Sequence, residues 1–575
     1  MLARINRLKN WQVALIIAIL GLAVLFTGLA TPFQGDDITQ IVNNVPVHSI
    51  RNIHLIFEGG TYYNGQGLKP LIGTSYRPLM MTTFSVIYTL FGPHAIAFHI
   101  FQLLLFIGSA IILYLFFKFS FKPALAFLLS LIFLVHPLNS QVAFAIPSMS
   151  DALFFFFGIL AIYLLVRFRS VRSLILVSLC LFLSMLSKET AIVFIAIALL
   201  YLFWFDRKRI FAFLGIMLVP IGLYLALRIN AVGLNQHLNI APIDNLRLGE
   251  RLLNIPLIIL FYLSKIVFPW RLATSYYWVH QTLSFRYFVM PLLIDLIVAG
   301  LIIYVGWLIR HRVSKAQYFT YLFFAIWVVV GLLPYLQIIP LDMTACETWF
   351  YVSFVGVMGM TGVALAAFRI NAKWLLIIGL IVIGILGVRT ALRGLDYRTP
   401  YNLAVKNVSA SPDDYGAYDV IAIDLFNQGL YAKAQIYEQR SISIWPSYTN
   451  YVTLGTIFME QHKYAAASNA YYQSLKYGQS VVAIEGIAAL TLMYGNTVID
   501  REFLLSELNQ YPQNYDLWLY LAIFEEKNDD NKDAKIAVIN AEKYGQVLPL
   551  LYNNILNNLP FTLNISDLNI NIYLP

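Results

Sequence analysis

Residues 14–37, ALIIAILGLAVLFTGLATPFQGDD, decide the fold. The apolar part is long enough to cross a bilayer, which needs about 20 residues. Gly35-Asp36-Asp37 follows within a few positions, so two adjacent carboxylates lie at or just outside the membrane surface. Charge beside lipid is costly and tends to serve a function. A carboxylate whose pKa is raised by a charged neighbour and a low dielectric can take a proton near neutrality, as a general base must. The same extramembrane stretch, residues 31–80, ends in Ser75-Tyr76-Arg77-Pro78-Leu79. The planar guanidinium of Arg77 suits phosphate oxygens because it makes two parallel charge-assisted bonds. The plainer reading makes Asp37 a helix N-cap and Arg77 an interfacial, snorkelling side chain.

The rest of the chain extends the membrane pattern. It has 575 residues, 59% hydrophobic and 12% charged, with a mean hydropathy of +0.70, the balance of a polytopic membrane protein. Apolar runs near residues 11–31, 95–117, 123–138, 147–166, 171–187, 189–205, 209–228, 287–309, 317–338, 350–368 and 374–392 predict about 11 spanning helices. Alternating sides places Lys118 and Lys122, Arg167, Arg169 and Arg172, Arg207, Lys208 and Arg209, Arg310, Arg312 and Lys315, and Arg369 with Lys373 in cytoplasmic loops. This accounts for the net charge of +9 by the positive-inside rule and gives no reason to invoke nucleic acid. The alternation requires residues 79–92 and 252–269 to be re-entrant or interfacial. Cys180 and Cys346 offer neither a disulfide framework nor metal-ligand spacing.

With that topology the polar motifs gather on the outer face. They are the acid pair, His136-Pro137-Leu138-Asn139, Asp151, Ser187-Lys188-Glu189, Arg228 and the stretch from Asp342 to Glu347. Lys188 is a mobile point charge suited to a lipid-linked phosphate beside Arg77 and Tyr76, or the partner of its neighbour Glu189. His136, Asp151, Glu189, Arg228 and Glu347 are candidates for substrate contact, against plainer roles in capping, packing and interfacial anchoring. The acid pair is a candidate ligand for a divalent metal, Mg or Mn. No P-loop, Rossmann glycine fingerprint, HExxH or GxSxG motif occurs.

After Arg393 polar residues rise and the pattern becomes amphipathic. Tyr431-Ala432-Lys433-Ala434 recurs as Tyr464-Ala465-Ala466-Ala467, Gly429 is echoed at His462-Lys463, and Pro446 at Pro512. This repeat of about 33 residues predicts a short tetratricopeptide (TPR)-like solenoid of helix hairpins, its third unit degenerate, and by parity extracytoplasmic. The expected division is therefore a membrane domain over 1–395 and a repeat domain over 396–575, all-α throughout.

Taken together, these motifs resemble the transmembrane and TPR-repeat O-mannosyltransferases and, more broadly, the GT-C glycosyltransferases. The resemblance implies an enzyme of the plasma membrane that moves a sugar from a polyprenyl-phosphate donor to a protein or glycan acceptor on the outer side. Asp36 or Asp37 would act as base, with the lean to Asp36 as the more desolvated. Arg77, Lys188 and Tyr76 would sit at the donor phosphate, and the repeats would receive a protein partner. Ser150 and Thr348 stand where the family usually carries arginines. Rival readings are a lipid-linked sugar flippase, against which charges clustered on one face speak, and a scaffold, for which so many spans are excessive.

Overall fold

The computed structural model describes residues 6–63, 68, 71–233, 241–368, 371–478, 482–483, 486–487, 490, 501–510, 512–544, 547 and 549–559. Among them the regular structure is helical, apart from isolated β-bridges at Tyr62–Ile72 and Tyr276–Ala345. The chain divides into compact units at Met1–Pro412 and Asp413–Pro575.

In the first unit the helices that place the site are α1 (Asn10–Leu25), α2 (Pro78–Phe91), α3 (Ala95–Phe117), α4 (Pro123–Val135), α5 (Met149–Arg167), α6 (Ser173–Ser187) and α7 (Ile192–Phe205). They are followed by α8 (Ile210–Val232), α9 (Ile255–Val267), α10 (Met290–Arg312), α11 (Lys315–Leu332), α12 (Tyr351–Ala367), α13 (Ala372–Asp396) and α14 (Pro400–Ala410). Eight described helices are long and apolar enough to cross a membrane, or nine if the bent pair Pro123–Val135 and Pro137–Phe144 is one span. The expected number was about 11 by the length rule. The difference lies in α6 and the segment Glu189–Phe205, apolar but shorter than a full span. Their separation has a local cause: Lys188 is extended, at φ −159° and ψ 138°, and so breaks what would be one long helix. The 54° bend after α4 arises where Pro137 supplies no N–H and holds His136 out of the helical region. α2 and α9, which cover most of 79–92 and 252–269, have 14 and 13 residues and are not among the spanning candidates.

The bundle is filled by aromatic rings. Phe133 of α4 stacks on Tyr351 at 5.1 Å and on Phe155 at 5.3 Å between ring centroids. Tyr351 in turn meets Phe155 at 4.2 Å. α11 and α12 approach closely because α12 carries glycines where they cross. A Cβ on Gly356 would lie 2.7 Å from the Phe324 carbonyl oxygen, and one on Gly359 2.1 Å from the Phe324 ring, the small-residue packing common between membrane helices.

The last membrane helix of this unit is tied to the segment after α1 and to the end of α4. Thr27 Oγ1 donates to the Ala391 carbonyl at 3.0 Å, and Thr390 Oγ1 donates to that of Val135 at 2.7 Å. Beyond α13, α14 stays with the membrane unit: Asn407 Nδ2 donates to Thr274 Oγ1 at 2.7 Å, and Thr274 N–H to Asn407 Oδ1 at 3.2 Å. That anchoring sets the division at Pro412, past the 395/396 boundary expected from composition.

The second unit is made of helices that pack in sequential pairs: Tyr415–Asn427 with Tyr431–Ile444, Tyr448–Glu460 with Tyr464–Ser474, and Tyr515–Lys527 with Asn531–Tyr544. Each pair turns on a left-handed residue, Gly429 (φ +74°), His462 (φ +58°) and Asp529 (φ +61°). Only the first is glycine, the residue that takes this conformation without steric cost. The sequence echo of Gly429 at His462 is therefore an echo of backbone geometry. Much of the expected degenerate third unit lies outside the described residues.

Candidate active site

The loop after α1 is shaped by Gly35, whose φ of +57° lets the chain turn just before the acids. Asp37 folds back so that the Gln34 N–H donates to its Oδ2 at 3.0 Å, and it does not cap the π-helix Ile38–Val42 that follows. Asp37 is 2% exposed and its Oδ1 has no partner. Burial raises its pKa to about 8, the Gln34 N–H opposing and Asp36 adding. Asp36 remains open to solvent. Tyr62 Oη donates to its Oδ2 at 3.3 Å. The surrounding protein still raises the Asp36 pKa, first by desolvation, with Tyr62 opposing, Asp342 adding and Arg77 opposing. The side chain closed off from solvent is thus Asp37, the reverse of the expectation that put Asp36 deeper.

Tyr62 is held in place by backbone pairing, Ile72 N–H to Tyr62 O at 2.9 Å and Tyr63 N–H to Thr39 O at 3.2 Å. Asp342 enters the same recess from the loop between α11 and α12. There the fully buried Gln337 donates through Nε2 to the Met343 and Thr344 carbonyls at 2.7 and 3.0 Å. Desolvation by the surrounding protein raises the Asp342 pKa against the opposing charges of Arg77 and Lys188.

Arg77, just before α2, meets Glu189 through Nε at 3.4 Å. Glu189 also accepts the Tyr76 N–H at 2.7 Å and lies 3.6 Å from an Arg228 terminal nitrogen. Tyr76 itself is fully buried, its hydroxyl donating to the Phe57 carbonyl at 3.3 Å. Lys188 pairs with Asp151 at 2.7 Å, with side chains only 8% and 6% exposed. The adjacent residues Lys188 and Glu189 therefore do not pair with each other. The extended backbone at Lys188 sends successive side chains in opposite directions, so each finds a partner from a distant helix. The Arg77 pair uses Nε and leaves the terminal nitrogens of the fork outside that bond, with the side chain 24% exposed. Lys188 has no comparable access.

Two other candidates lie apart from this cleft in their contacts. His136 is 2% exposed with both ring nitrogens engaged. Nδ1 accepts the Leu138 N–H at 3.2 Å, which leaves Nε2 to donate to the Ile266 carbonyl at 3.1 Å. Glu347, fully buried, accepts through Oε1 from the Ala273 N–H and the Tyr276 hydroxyl, both at 2.9 Å. The carboxylates brought to the recess are instead Asp36, Glu189 and Asp342. Sequence reading placed Asp342 on the outer face without a role and passed over Tyr62, since neither belongs to a motif. Among the described residues no group of three or more His, Cys, Asp or Glu side chains is placed to hold a metal ion.

A bundle of membrane-length helices with a solvent-reached carboxylate and a partly exposed guanidinium places the chain in the class of polytopic membrane proteins. Residues 76–230 match the family model described as dolichyl-phosphate-mannose-protein mannosyltransferase, which supports the GT-C resemblance read from the sequence. The match takes in Arg77, Asp151, Lys188, Glu189 and Arg228, whereas Asp36, Asp37, Asp342 and Glu347 lie outside it. No curated protein matches the chain.

Proposed function

We propose that the chain is an integral-membrane glycosyltransferase that moves mannose or a related hexose from a polyprenyl-phosphate donor to a hydroxyl of a protein or cell-surface glycan, on the extracytoplasmic side of the plasma membrane. The observation that carries this reading is Asp36, the carboxylate open to solvent, set in the field of the Arg77 guanidinium. Asp36 accepts the proton of the acceptor hydroxyl, and the oxygen attacks the anomeric carbon as the bond to the phosphate oxygen breaks. The polyprenyl phosphate leaves with the electron pair, and its charge is met by the terminal nitrogens of Arg77 and by Arg228. Glu189 holds both guanidiniums in place. Asp37, whose neutral form burial favours, orients the loop through Gln34. A single displacement inverts the anomeric centre. A divalent ion at the acid pair would take its remaining ligands from water or donor phosphate, as Mg commonly does. The helix hairpins after Asp413 are read as TPR-like and as the docking surface for a protein partner.

The experiment is transfer by the purified full chain from a polyprenyl-phosphate mannose to acceptor hydroxyls, with the anomer of the product determined. Inverted product, made without nucleotide, is the expected outcome. Retention of configuration overturns the single displacement, and lipid-linked sugar that crosses the bilayer without transfer favours the flippase.

A further inference from the structure

A cavity of about 760 Å³ lies in the membrane unit against the C-terminal end of α13. Its polar end carries Arg271, Arg389, Arg393 and Lys406 against the single carboxylate of Asp396. Arg393 is fully buried, yet only one of its nitrogens is bonded, to Asp396 at 3.3 Å; Nε and the second terminal nitrogen have no partner. Arg389 spends one nitrogen on the Trp270 carbonyl at 2.8 Å. Arg271 and Lys406 are exposed and, among the described residues, without an ion-pair partner. Behind the lining Glu347 also faces Arg393, and Lys265 adds a further cation, so basic groups still outnumber carboxylates around the cavity. A cluster with surplus positive charge at the end of a membrane helix is unfavourable unless an anion sits in it.

The other wall shows what carries that anion. Ile385, Val388 and Leu392 follow one another along α13 at helical spacing and are 51%, 63% and 52% exposed, leading up to the cations. Trp270, 62% exposed, stands at the mouth. We propose that this cavity holds the phosphate headgroup of a membrane lipid, its chain lying along the apolar face of α13. A free phosphate would leave that face uncovered. The site is separate from the Arg77 cleft and does not depend on the catalytic reading.

The test uses the full chain in nanodiscs of phosphatidylcholine with a rising share of phosphatidylglycerol, with a polyprenyl phosphate, or with inorganic phosphate in the buffer. Lipid retention is read by native mass spectrometry and stability by thermal unfolding. Wild type is expected to retain an anionic lipid and to unfold at a higher temperature with it. Arg271→Gln with Lys406→Gln, both at exposed positions, is expected to weaken retention about tenfold or more while leaving the fold in phosphatidylcholine unchanged. Displacement of phosphatidylglycerol by polyprenyl phosphate assigns the occupant as a prenyl phosphate, and persistence assigns a phospholipid. Equal retention of zwitterionic and anionic lipids overturns the proposal. So does unchanged retention in both the double variant and a folded Arg393→Met chain, or full stabilisation by inorganic phosphate alone. Transfer activity is not the readout, so failure here leaves the glycosyltransferase reading untouched.

Discussion

The Arg77 cleft and the α13 cavity both collect cations at a membrane boundary, and they balance them differently. In the cleft Arg77 and Arg228 share Glu189, and Lys188 has Asp151. In the cavity four basic side chains of the lining stand against the Asp396 carboxylate, with Glu347 behind Arg393. A site whose charges are already balanced holds an incoming phosphate only by competition with its own carboxylates, so the ligand can leave, as turnover requires. A site with surplus charge favours a resident anion. The difference separates a place for a substrate from a place for a structural ligand.

The sharpest way to test that separation is Asp36→Asn. It removes proton acceptance while keeping shape, and transfer is expected to fall about 100- to 10,000-fold, the usual range for general-base help. Thermal unfolding and lipid retention at the cavity should not move. Normal transfer by a folded Asp36→Asn chain would take the base elsewhere. Wild-type transfer should also rise with pH through a pKa above the ordinary 3.8, because desolvation by the surrounding protein holds Asp36 protonated longer and only the ionised form accepts a proton.

Lys188 sharpens the comparison through stability. As half of a buried pair, its loss in Lys188→Met leaves the Asp151 carboxylate uncompensated, a change expected to cost about 3–5 kcal/mol. Lys188→Met with Asp151→Leu should recover most of that in thermal unfolding. If the single variant unfolds like wild type, the pair is not closed to water. Arg77→Ala should lower transfer at limiting donor by roughly 10- to 100-fold, in line with about 1.5–3 kcal/mol for a charge-assisted bond. Unchanged use of limiting donor would place the phosphate elsewhere.

The smallest effect belongs to Asp37. A carboxyl with a folded pKa raised from 3.8 to about 8 binds its proton more tightly folded than unfolded, so wild-type stability falls as pH rises between those values. Asp37→Asn resembles the protonated form. It should flatten that slope and cost little transfer near neutrality, and an unchanged slope in melting temperature against pH would remove Asp37 as its source.

The spans, the acid pair and the basic residues were legible because hydropathy and motif are local properties of the chain. The pairings were not. Lys188 finds Asp151 37 residues away and Arg77 finds Glu189 112 residues away, and nothing in Lys188-Glu189 tells which partner each takes once the backbone between them is extended. Tyr62 and Asp342 reach the recess through backbone pairing and the buried Gln337, features that composition does not mark. Arg393 read only as the place where the composition changes, although in the fold it is the buried head of a cavity. His136 stood out as a motif residue, and both its nitrogens are occupied by backbone groups.

The contact between Gln34 and Tyr397 also bears on biogenesis. Gln34 Nε2 donates to the Tyr397 carbonyl at 3.3 Å, across 363 residues, so the loop carrying the acids is fastened by a residue made long after it. At roughly 5–20 residues per second on the ribosome, the loop waits some tens of seconds in the membrane before its tether is synthesised. A nascent chain halted before α13 has its carboxylates already inserted beside lipid with their turn unfastened, a stage at which an insertase or chaperone that shields the loop would matter most.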